Sequence, residues 1–128
     1  MSDFIKNHLV ELRKKKFSYP EIELRALLNY CSLDNKEIFL NNFNLSKINY
    51  SKFKSAFQRR IYSEPLSKIF NNKEFWSFNF YVNCHVLDPR PESEFLIHAV
   101  KDYFTNLYSN IKICDLGTGS GCLAITLA

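Results

Sequence analysis

The feature that most constrains the fold is a glycine-rich stretch near the end of this 128-residue chain. Two apolar runs, 111–114 and 123–128, flank a segment in which Gly117, Gly119 and Gly121 occupy alternate positions. Glycine lacks a Cβ atom, so it reaches positive φ readily and lets the backbone come close to a ligand. The amide groups at the start of a following helix suit a polar or negatively charged ligand group. The pattern therefore predicts a strand, a tight turn that binds a ligand, and a helix.

The spacing of these glycines distinguishes three kinds of cofactor loop. A P-loop requires Lys after its last glycine, whereas Cys122 stands there. A dinucleotide-binding loop has glycine at its first, third and sixth places, and the sixth place counted from Gly117 is again Cys122. Asp115 and the three glycines instead match, at every place, the acid-x-Gly-x-Gly-x-Gly pattern typical of S-adenosylmethionine-dependent methyltransferases. The alternative is a glycine-rich turn in an ordinary α/β domain.

Composition indicates a globular chain of about one domain. Apolar residues make up 46% of the sequence, which contains 12 Phe and 7 Tyr. No stretch approaches the roughly 20 apolar residues of a membrane span, and the first residues lack a secretory signal. The four cysteines show no metal-binding spacing and are expected to be reduced thiols, and the three histidines are assigned to no site. We therefore expect a cytoplasmic protein without a metal site or a membrane partner.

The net charge of +4 is mild and permits an acidic partner without requiring one. The densest basic run is Arg-Lys-Lys-Lys at 13–16. We interpret it as the solvated last turn of a helix, where cations suit the helix dipole, in preference to a nucleic-acid contact. Direct nucleic-acid binding is not expected.

Hydrophobic spacing predicts helices through the first half of the chain. The first covers 3–16, and Ser18 is predicted to cap a second that has Pro20 in its first turn. Asp34 is predicted to open a short third helix as part of a capping box, and a fourth covers 50–62. Their predicted buried residues are Ile5, Leu9 and Leu12; Leu24, Leu27, Leu28 and Cys31; Ile38, Phe39 and Phe43; and Phe53, Ala56, Phe57 and Ile61.

The pattern changes after residue 63. Pro65 blocks the fourth helix and can begin another helical turn, and the aromatic, β-prone segment 74–82 predicts a hairpin of two short strands. Pro91 fits the first position of a long amphipathic helix that ends near 109–110. The predicted buried side of that helix consists of Leu96, Ala99, Val100, Tyr103 and Leu107.

A lone parallel strand does not make a sheet, because parallel sheets need several strands covered on both faces. We therefore expect a truncated piece of a larger α/β protein, with the missing part after Ala128. The predicted fold class is an α+β fragment: an N-terminal helical bundle, a β-hairpin linker and the first strand–turn–helix of a Rossmann-like domain. On this view residues 1–70 could fold alone, whereas 109–128 should be poorly packed or prone to self-association.

Three signatures stand in a fixed order along the chain. The first consists of Glu-Pro-Leu-Ser-Lys-Ile at 64–69 with Glu-Phe-Trp at 74–76, the second is Val-Leu-Asp-Pro-Arg-Pro-Glu-Ser-Glu at 86–94, and the third is the glycine loop at 115–121. Together they resemble the release factor glutamine methyltransferase family (PrmC/HemK). The resemblance covers the whole chain and is strongest from residue 64 onward.

The sequence also departs from this family. Members usually carry Gly where Asn71 and Ser77 stand, an aromatic residue where Lys68 stands, and Thr where Ser93 stands. The family's catalytic Asn-Pro-Pro-Tyr is absent, and by the family pattern it is expected beyond residue 128. No catalytic residue is therefore assigned.

The resemblance implies three parts: a helical N-terminal domain (1–70) that helps bind a release factor, a hairpin linker (71–90), and an incomplete class I methyltransferase domain (91–128). It implies methyl transfer from S-adenosylmethionine to the side-chain amide nitrogen of the glutamine in the factor's Gly-Gly-Gln motif. The chain alone is expected to be inactive, and the complete protein is expected to be a monomer.

The resemblance also assigns site residues. It places six residues against the cofactor: Asp115, Gly117, Thr118, Gly119, Ser120 and Gly121. Asp115 would favour the cofactor's ammonium group by charge. Four residues would line the approach of the substrate: Arg90, Glu92, Ser93 and Glu94. A structural ion pair is the alternative for Arg90 and Glu92, and core packing is the preferred interpretation of Phe75 and Trp76.

Two other functions remain open at this point. The helical half could be a non-catalytic binding module for a release factor or a ribosomal partner. A nicotinamide-dependent oxidoreductase is the third hypothesis, and Cys122 in the third glycine place of the dinucleotide pattern argues against it.

Overall fold

The structure, a computed structural model, describes residues 2–104 and 111–128. The chain divides into two compact units, Met1–Phe70 and Asn71–Ala128. Helices and a two-stranded antiparallel sheet occur in the described residues, which confirms the α+β part of the predicted fold class. No helix in these two described ranges has the length and apolar character needed to cross a membrane.

The first unit is helical. Its α-helices in the described residues are α1 (Asp3–Lys14), α2 (Pro20–Tyr30), α3 (Tyr50–Ile61) and α4 (Leu66–Phe70). The residues that were predicted to be buried in α1 and α2 are buried, which confirms both helices. The Ser18 cap is wrong: the residue before α2 is Tyr19, whose side chain makes no capping hydrogen bond. Pro20 occupies the first turn as predicted, and its fixed φ sets the start of the helix.

The predicted third helix is wrong. The segment contains two short 3₁₀ turns, Leu40–Asn42 and Leu45–Lys47. Asp34 Oδ1 accepts hydrogen bonds from the Lys36 amide at 3.1 Å and from Ser32 Oγ at 3.0 Å. Such an Asx turn offers the backbone a local alternative to the helix that a capping box would begin. Of the predicted buried residues of this segment, Ile38 is buried, whereas Phe39 is exposed and Phe43 is only partly buried.

Helix α3 buries Phe53, Ala56 and Phe57 as predicted, whereas Ile61 is only partly buried. Arg60 on this helix forms a bidentate ion pair with Glu23 of α2, with N···O distances of 2.7 and 2.8 Å. Charged hydrogen bonds of this fork geometry are directional as well as strong. The pair therefore fixes how α3 lies against α2.

The second unit begins with the predicted hairpin. Strands β1 (Asn72–Phe75) and β2 (Phe78–Tyr81) pair antiparallel, with Phe75 opposite Phe78. The turn between them consists of Trp76 and Ser77, at φ +52° and +63°. Two central residues with positive φ define the type I′ turn, whose twist matches that of the flanking strands.

A 3₁₀ turn at Pro91–Ser93 leads into α5 (Glu94–Phe104), so helical structure starts at Pro91 as predicted although the α-helix begins at Glu94. The predicted end of this helix near 109–110 lies outside the described residues. Its predicted buried side is wrong, because Leu96 and Ala99 are exposed and Tyr103 is 78% exposed. Val100 is half-buried, and Leu107 lies outside the described residues. The fully buried residue is Ile97, because this face of the helix packs against the hairpin.

The predicted strand before the glycines is also wrong. Residues 111–115 form no strand, and Ile111, Ile113 and Leu116 are exposed. A strand needs the backbone of a neighbouring strand to complete its hydrogen bonds, and the sheet in the described residues consists of β1 and β2. The predicted helix after the glycines is confirmed as α6 (Cys122–Leu127). A Rossmann-like arrangement is therefore not seen in the described part of the chain.

We predict that Ser77→Gly stabilises the second unit by about 1 kcal/mol, because glycine removes the Cβ penalty of the left-handed conformation. Urea unfolding followed by the fluorescence of Trp76, the single tryptophan, measures this change. The matched control is Ala99→Gly on the exposed side of α5, which should destabilise the unit by about 1 kcal/mol. A loss of stability in both variants would contradict the type I′ turn.

Candidate functional site

The glycine loop, residues 115–121, lies between an exposed segment and α6. Gly117, Gly119 and Gly121 have φ values of +78°, +58° and +78°. L-residues with a side chain rarely adopt this conformation. Each glycine therefore has a conformational reason to be in this loop.

The surroundings of the three glycines differ. A Cβ atom on Gly117 would meet no atom within 4 Å, and on Gly119 it would lie 3.9 Å from Val86 Cγ1. On Gly121 it would lie only 3.2 Å from Ile125 Cδ1. The Gly121 carbonyl also accepts the first hydrogen bond of α6, from the Ile125 amide at 2.9 Å. Gly121 thus serves the helix start, while Gly117 and Gly119 leave open space where a ligand could approach the backbone.

Asp115, at the start of the loop, carries an unusual oxygen atom. Its side chain is half-buried, and Oδ2 is fully buried without a hydrogen-bond partner among the described residues. Buried polar atoms in folded proteins nearly always have a partner. A donor group on a ligand would satisfy this oxygen.

A cavity of about 570 Å³ borders the loop, a size within the usual range for small-molecule sites. Gly119 and Ser120 form one side of it. The other residues that line it are Phe78, Asn79, Phe80, Tyr81, Val86 and Ile125. The contribution of β2 to this cavity is not predicted from the sequence, although the concentration of aromatic residues in this strand is visible there.

The four residues predicted to line a substrate approach have separate surroundings. Arg90 and Glu92 are exposed, and no ion pair joins them in the part of the chain that the structure describes. Ser93 is half-buried, and its amide donates to the Arg90 carbonyl at 3.0 Å. Glu94 Oε1 accepts a hydrogen bond from the Trp76 amide at 2.9 Å. The Glu94 carboxylate therefore holds the hairpin turn, a structural role that sequence reasoning did not predict.

Phe75 and Trp76 pack within the second unit. Phe75 is buried against Phe80, with ring centroids 6.2 Å apart. The partly buried Trp76 ring meets His98 of α5 edge-on at 4.7 Å. These contacts fasten the hairpin to α5, so both aromatic residues have a packing role.

The described residues contain no group of three or more His, Cys, Asp or Glu side chains that could hold a metal ion. All four cysteines are free thiols: Cys31 and Cys122 are buried, and Cys84 and Cys114 are exposed. Burial raises the pKa of the Cys31 thiol above its ordinary value, which disfavours the reactive thiolate.

No family model matches this chain. Curated relatives do match it. A release factor glutamine methyltransferase from Buchnera aphidicola subsp. Baizongia pistaciae is 38% identical over 90% of this chain and 42% of the relative. One from Shewanella oneidensis is 36% identical over 84% of this chain and 37% of the relative. A bifunctional methyltransferase from Rickettsia typhi is 36% identical over 91% of this chain and 26% of the relative.

The chain thus spans 26% to 42% of the length of these curated relatives. The similarity covers most of the chain itself. The predicted resemblance to release factor glutamine methyltransferases is therefore confirmed.

We predict that Glu94→Ala destabilises the second unit by about 1–2 kcal/mol, because the Trp76 amide loses a charged acceptor. Urea unfolding monitored by Trp76 fluorescence gives the change. Glu92→Ala, two residues away and exposed, is the matched control and should stay within about 0.5 kcal/mol of the unsubstituted chain. Equal effects of the two substitutions would refute the structural role of Glu94.

Proposed function

We propose that this chain, a homologue of release factor glutamine methyltransferases over most of its length, supplies the methyl-donor loop of such an enzyme. The reaction would be methylation of the side-chain amide nitrogen of a glutamine in a peptide chain release factor. S-adenosylmethionine would supply an activated methyl group on a sulfonium sulfur.

The observation that carries this proposal is the buried, unsatisfied Oδ2 of Asp115, two residues before the open backbone of Gly117. A carboxylate in this position suits the ammonium group of an amino acid, because hydrogen bonds between charged groups are the strong ones. The amide groups of the loop, ahead of α6, suit the carboxylate of the same amino acid. The residues present therefore fit the amino-acid end of S-adenosylmethionine.

On this proposal the residues of the glycine loop have different roles. Asp115 binds the ammonium group, and the backbone of Gly117, Thr118 and Gly119 follows the amino-acid end of the donor. Gly121 keeps α6 in register behind the loop, since its carbonyl accepts the first hydrogen bond of that helix. Ser120 lines the cavity beside the loop.

The acceptor nitrogen is a poor nucleophile, because an amide lone pair is delocalised. The family uses Asn-Pro-Pro-Tyr to hold the amide N–H groups and to aim the lone pair at the methyl carbon, which is catalysis by orientation and preorganised polar groups. This tetrapeptide does not occur in the 128 residues. The chain's own part in the reaction would be to bind and orient the donor, and residues 1–128 alone should transfer no methyl group.

The helical unit, residues 1–70, would bind the release factor, and the hairpin region 71–90 would join it to the methyltransferase part at 91–128. Arg90, Glu92 and Ser93 would face the incoming substrate, since Arg90 and Glu92 are exposed and have no ion pair with each other in the described ranges. Glu94 would act only by fixing the hairpin.

A second candidate function is a non-catalytic binding module. It is favoured by the first unit having a hydrophobic core of its own, built from α1, α2 and α3 around residues such as Leu12, Leu28 and Phe53. Such a module would retain a release factor without any methyl donor. Loss of the donor site should leave that binding unchanged, which separates the two functions.

We predict that Asp115→Asn weakens binding of S-adenosylmethionine by about tenfold or more, because the neutral amide cannot form a charged hydrogen bond with the ammonium group. Nuclear magnetic resonance titration of the ¹⁵N-labelled chain measures the affinity and shows which amides shift. In the unsubstituted chain, the shifts should centre on Gly117 and Gly119.

Asp102→Asn is the matched control, because Asp102 is an exposed carboxylate on α5 within the same unit. It should leave the affinity unchanged. Equal affinities for Asp115→Asn and the unsubstituted chain, or no binding of the donor to the unsubstituted chain, would overturn the proposed donor site.

A further inference from the structure

Strand β2 has an outer edge that borders the cavity beside the glycine loop. Four consecutive residues of this strand, Phe78 to Tyr81, line the cavity, whereas no residue of β1 is among its described lining residues. Successive side chains of a strand point to opposite faces of the sheet. A cavity that is lined by every residue in turn therefore lies along the edge of β2, on the side away from β1.

The register of the hairpin fixes the backbone groups on this edge. The Val82 amide donates to the Asn71 carbonyl, so these two residues form a hydrogen-bonded pair. Bonded and non-bonded pairs alternate along an antiparallel ladder. Asn79 and Tyr81 thus lie at non-bonded positions of the register and direct their N–H and C=O groups away from β1. No hydrogen bond among the described residues uses these backbone groups.

The composition of β2 leaves this edge open to pairing. Native sheets often protect an exposed edge with charged side chains or proline. Strand β1 carries Lys73 and Glu74, whereas β2, Phe-Asn-Phe-Tyr, carries neither a charge nor a proline. The side chain of Asn79 is exposed, and that of Tyr81 is 68% exposed. Solvent therefore reaches the strand at both positions whose backbone groups point outward.

The rest of the cavity lining comes from the glycine loop and nearby apolar residues. Gly119 and Ser120 line it together with Val86 and Ile125. None of the described lining residues carries a charge. A fitting occupant has alternating backbone donors and acceptors along one side and needs no charged group. An extended peptide with uncharged side chains has this chemistry.

We propose that the outer edge of β2 binds an extended, uncharged segment of the protein substrate as a third strand of the sheet. The choice of this occupant rests on the proposed function, in which the methyl acceptor is a glutamine side chain within a polypeptide. The backbone groups of Asn79 and Tyr81 would supply the hydrogen bonds of the new ladder. A segment paired in this way would lie beside Gly119 and Ser120.

The faces of β2 set a preference for the side chains of the added strand. Phe78 and Phe80 share one face, and Asn79 and Tyr81 share the other. Neighbouring side chains of the added strand would meet aromatic rings on the first face and an amide and a phenol on the second. A segment in which apolar and polar side chains alternate therefore fits this edge.

The test uses the ¹⁵N-labelled 128-residue chain and a neutral hexapeptide, acetyl-Val-Gly-Gly-Gln-Val-Thr-amide. Nuclear magnetic resonance titration measures its affinity. The Asn79 and Tyr81 amide protons should move downfield, because they gain hydrogen-bond acceptors. A second peptide is methylated on its two central backbone nitrogens, which blocks both edges of an extended chain and keeps every side chain. It should bind about tenfold or more weakly than the first.

A matched pair of substitutions tests the edge from the protein side. Asn79→Pro removes an outward N–H of β2 without removing a ladder hydrogen bond, and it should weaken binding of the hexapeptide about fivefold or more. Glu74→Pro, at the position opposite Asn79 in the register, removes the equivalent N–H on the outer edge of β1. It should change the affinity by less than about twofold. Urea midpoints establish that both variants remain folded.

Equal affinities of the two peptides, or shifts centred away from β2, would overturn the inference. It would also be overturned if Asn79 and Tyr81 shifted with chain concentration before peptide was added, since the edge would then pair with a second copy. Binding of S-adenosylmethionine is a separate readout: Asn79→Pro should leave it unchanged, and Asp115→Asn should leave peptide binding unchanged. Loss of the donor site alone therefore removes the proposed function, whereas loss of peptide pairing alone removes this inference.

Discussion

The placement of the glycine loop depends on one small hydrophobic cluster. Phe75 and Phe80 of the hairpin, Ile97 of α5 and Cys122 of α6 bury their side chains against one another. Burying a Phe or Ile side chain stabilises the folded state by about 1.5–3 kcal/mol. The four side chains together join three elements that are distant in sequence. Because Cys122 is the first residue of α6, the cluster anchors the helix that directly follows the loop.

Local signals in the sequence were sufficient for much of this architecture. Leu9 and Leu12 repeat with the helical period and are buried, and Pro20 begins α2 where its fixed φ suits the first turn. The aromatic hairpin forms even though Ser77 stands where the family has glycine, because the strand pairs outweigh the cost of the two left-handed residues, Trp76 and Ser77. The site residues, Asp115 and Gly117 to Gly121, are assigned from the glycine spacing together with the family resemblance, and their role stays a prediction.

The wrong predictions share a physical cause, because in each case the contact that decides the structure leaves no trace in the spacing of apolar residues. Asp34 forms an Asx turn with the residues after it, which spacing does not distinguish from a helix cap. The buried side predicted for α5 is not the side that the hairpin covers, which is the side of Ile97. The run before the glycines has strand-like residues, but no neighbouring strand pairs with it in the described structure. The hydrogen bond from the Trp76 amide to the Glu94 carboxylate could not be predicted from the sequence, because it joins residues that are 18 positions apart and depends on how the hairpin packs.

The central claim is that a buried carboxylate oxygen and an open glycine backbone together hold the amino-acid end of a methyl donor. Nuclear Overhauser contacts between S-adenosylmethionine and the ¹⁵N-labelled chain test it most directly. The account predicts contacts from the donor's α and β protons to the amide protons of Gly117 and Gly119. Contacts confined to other parts of the chain, with the loop amides unperturbed at saturating donor, would contradict it.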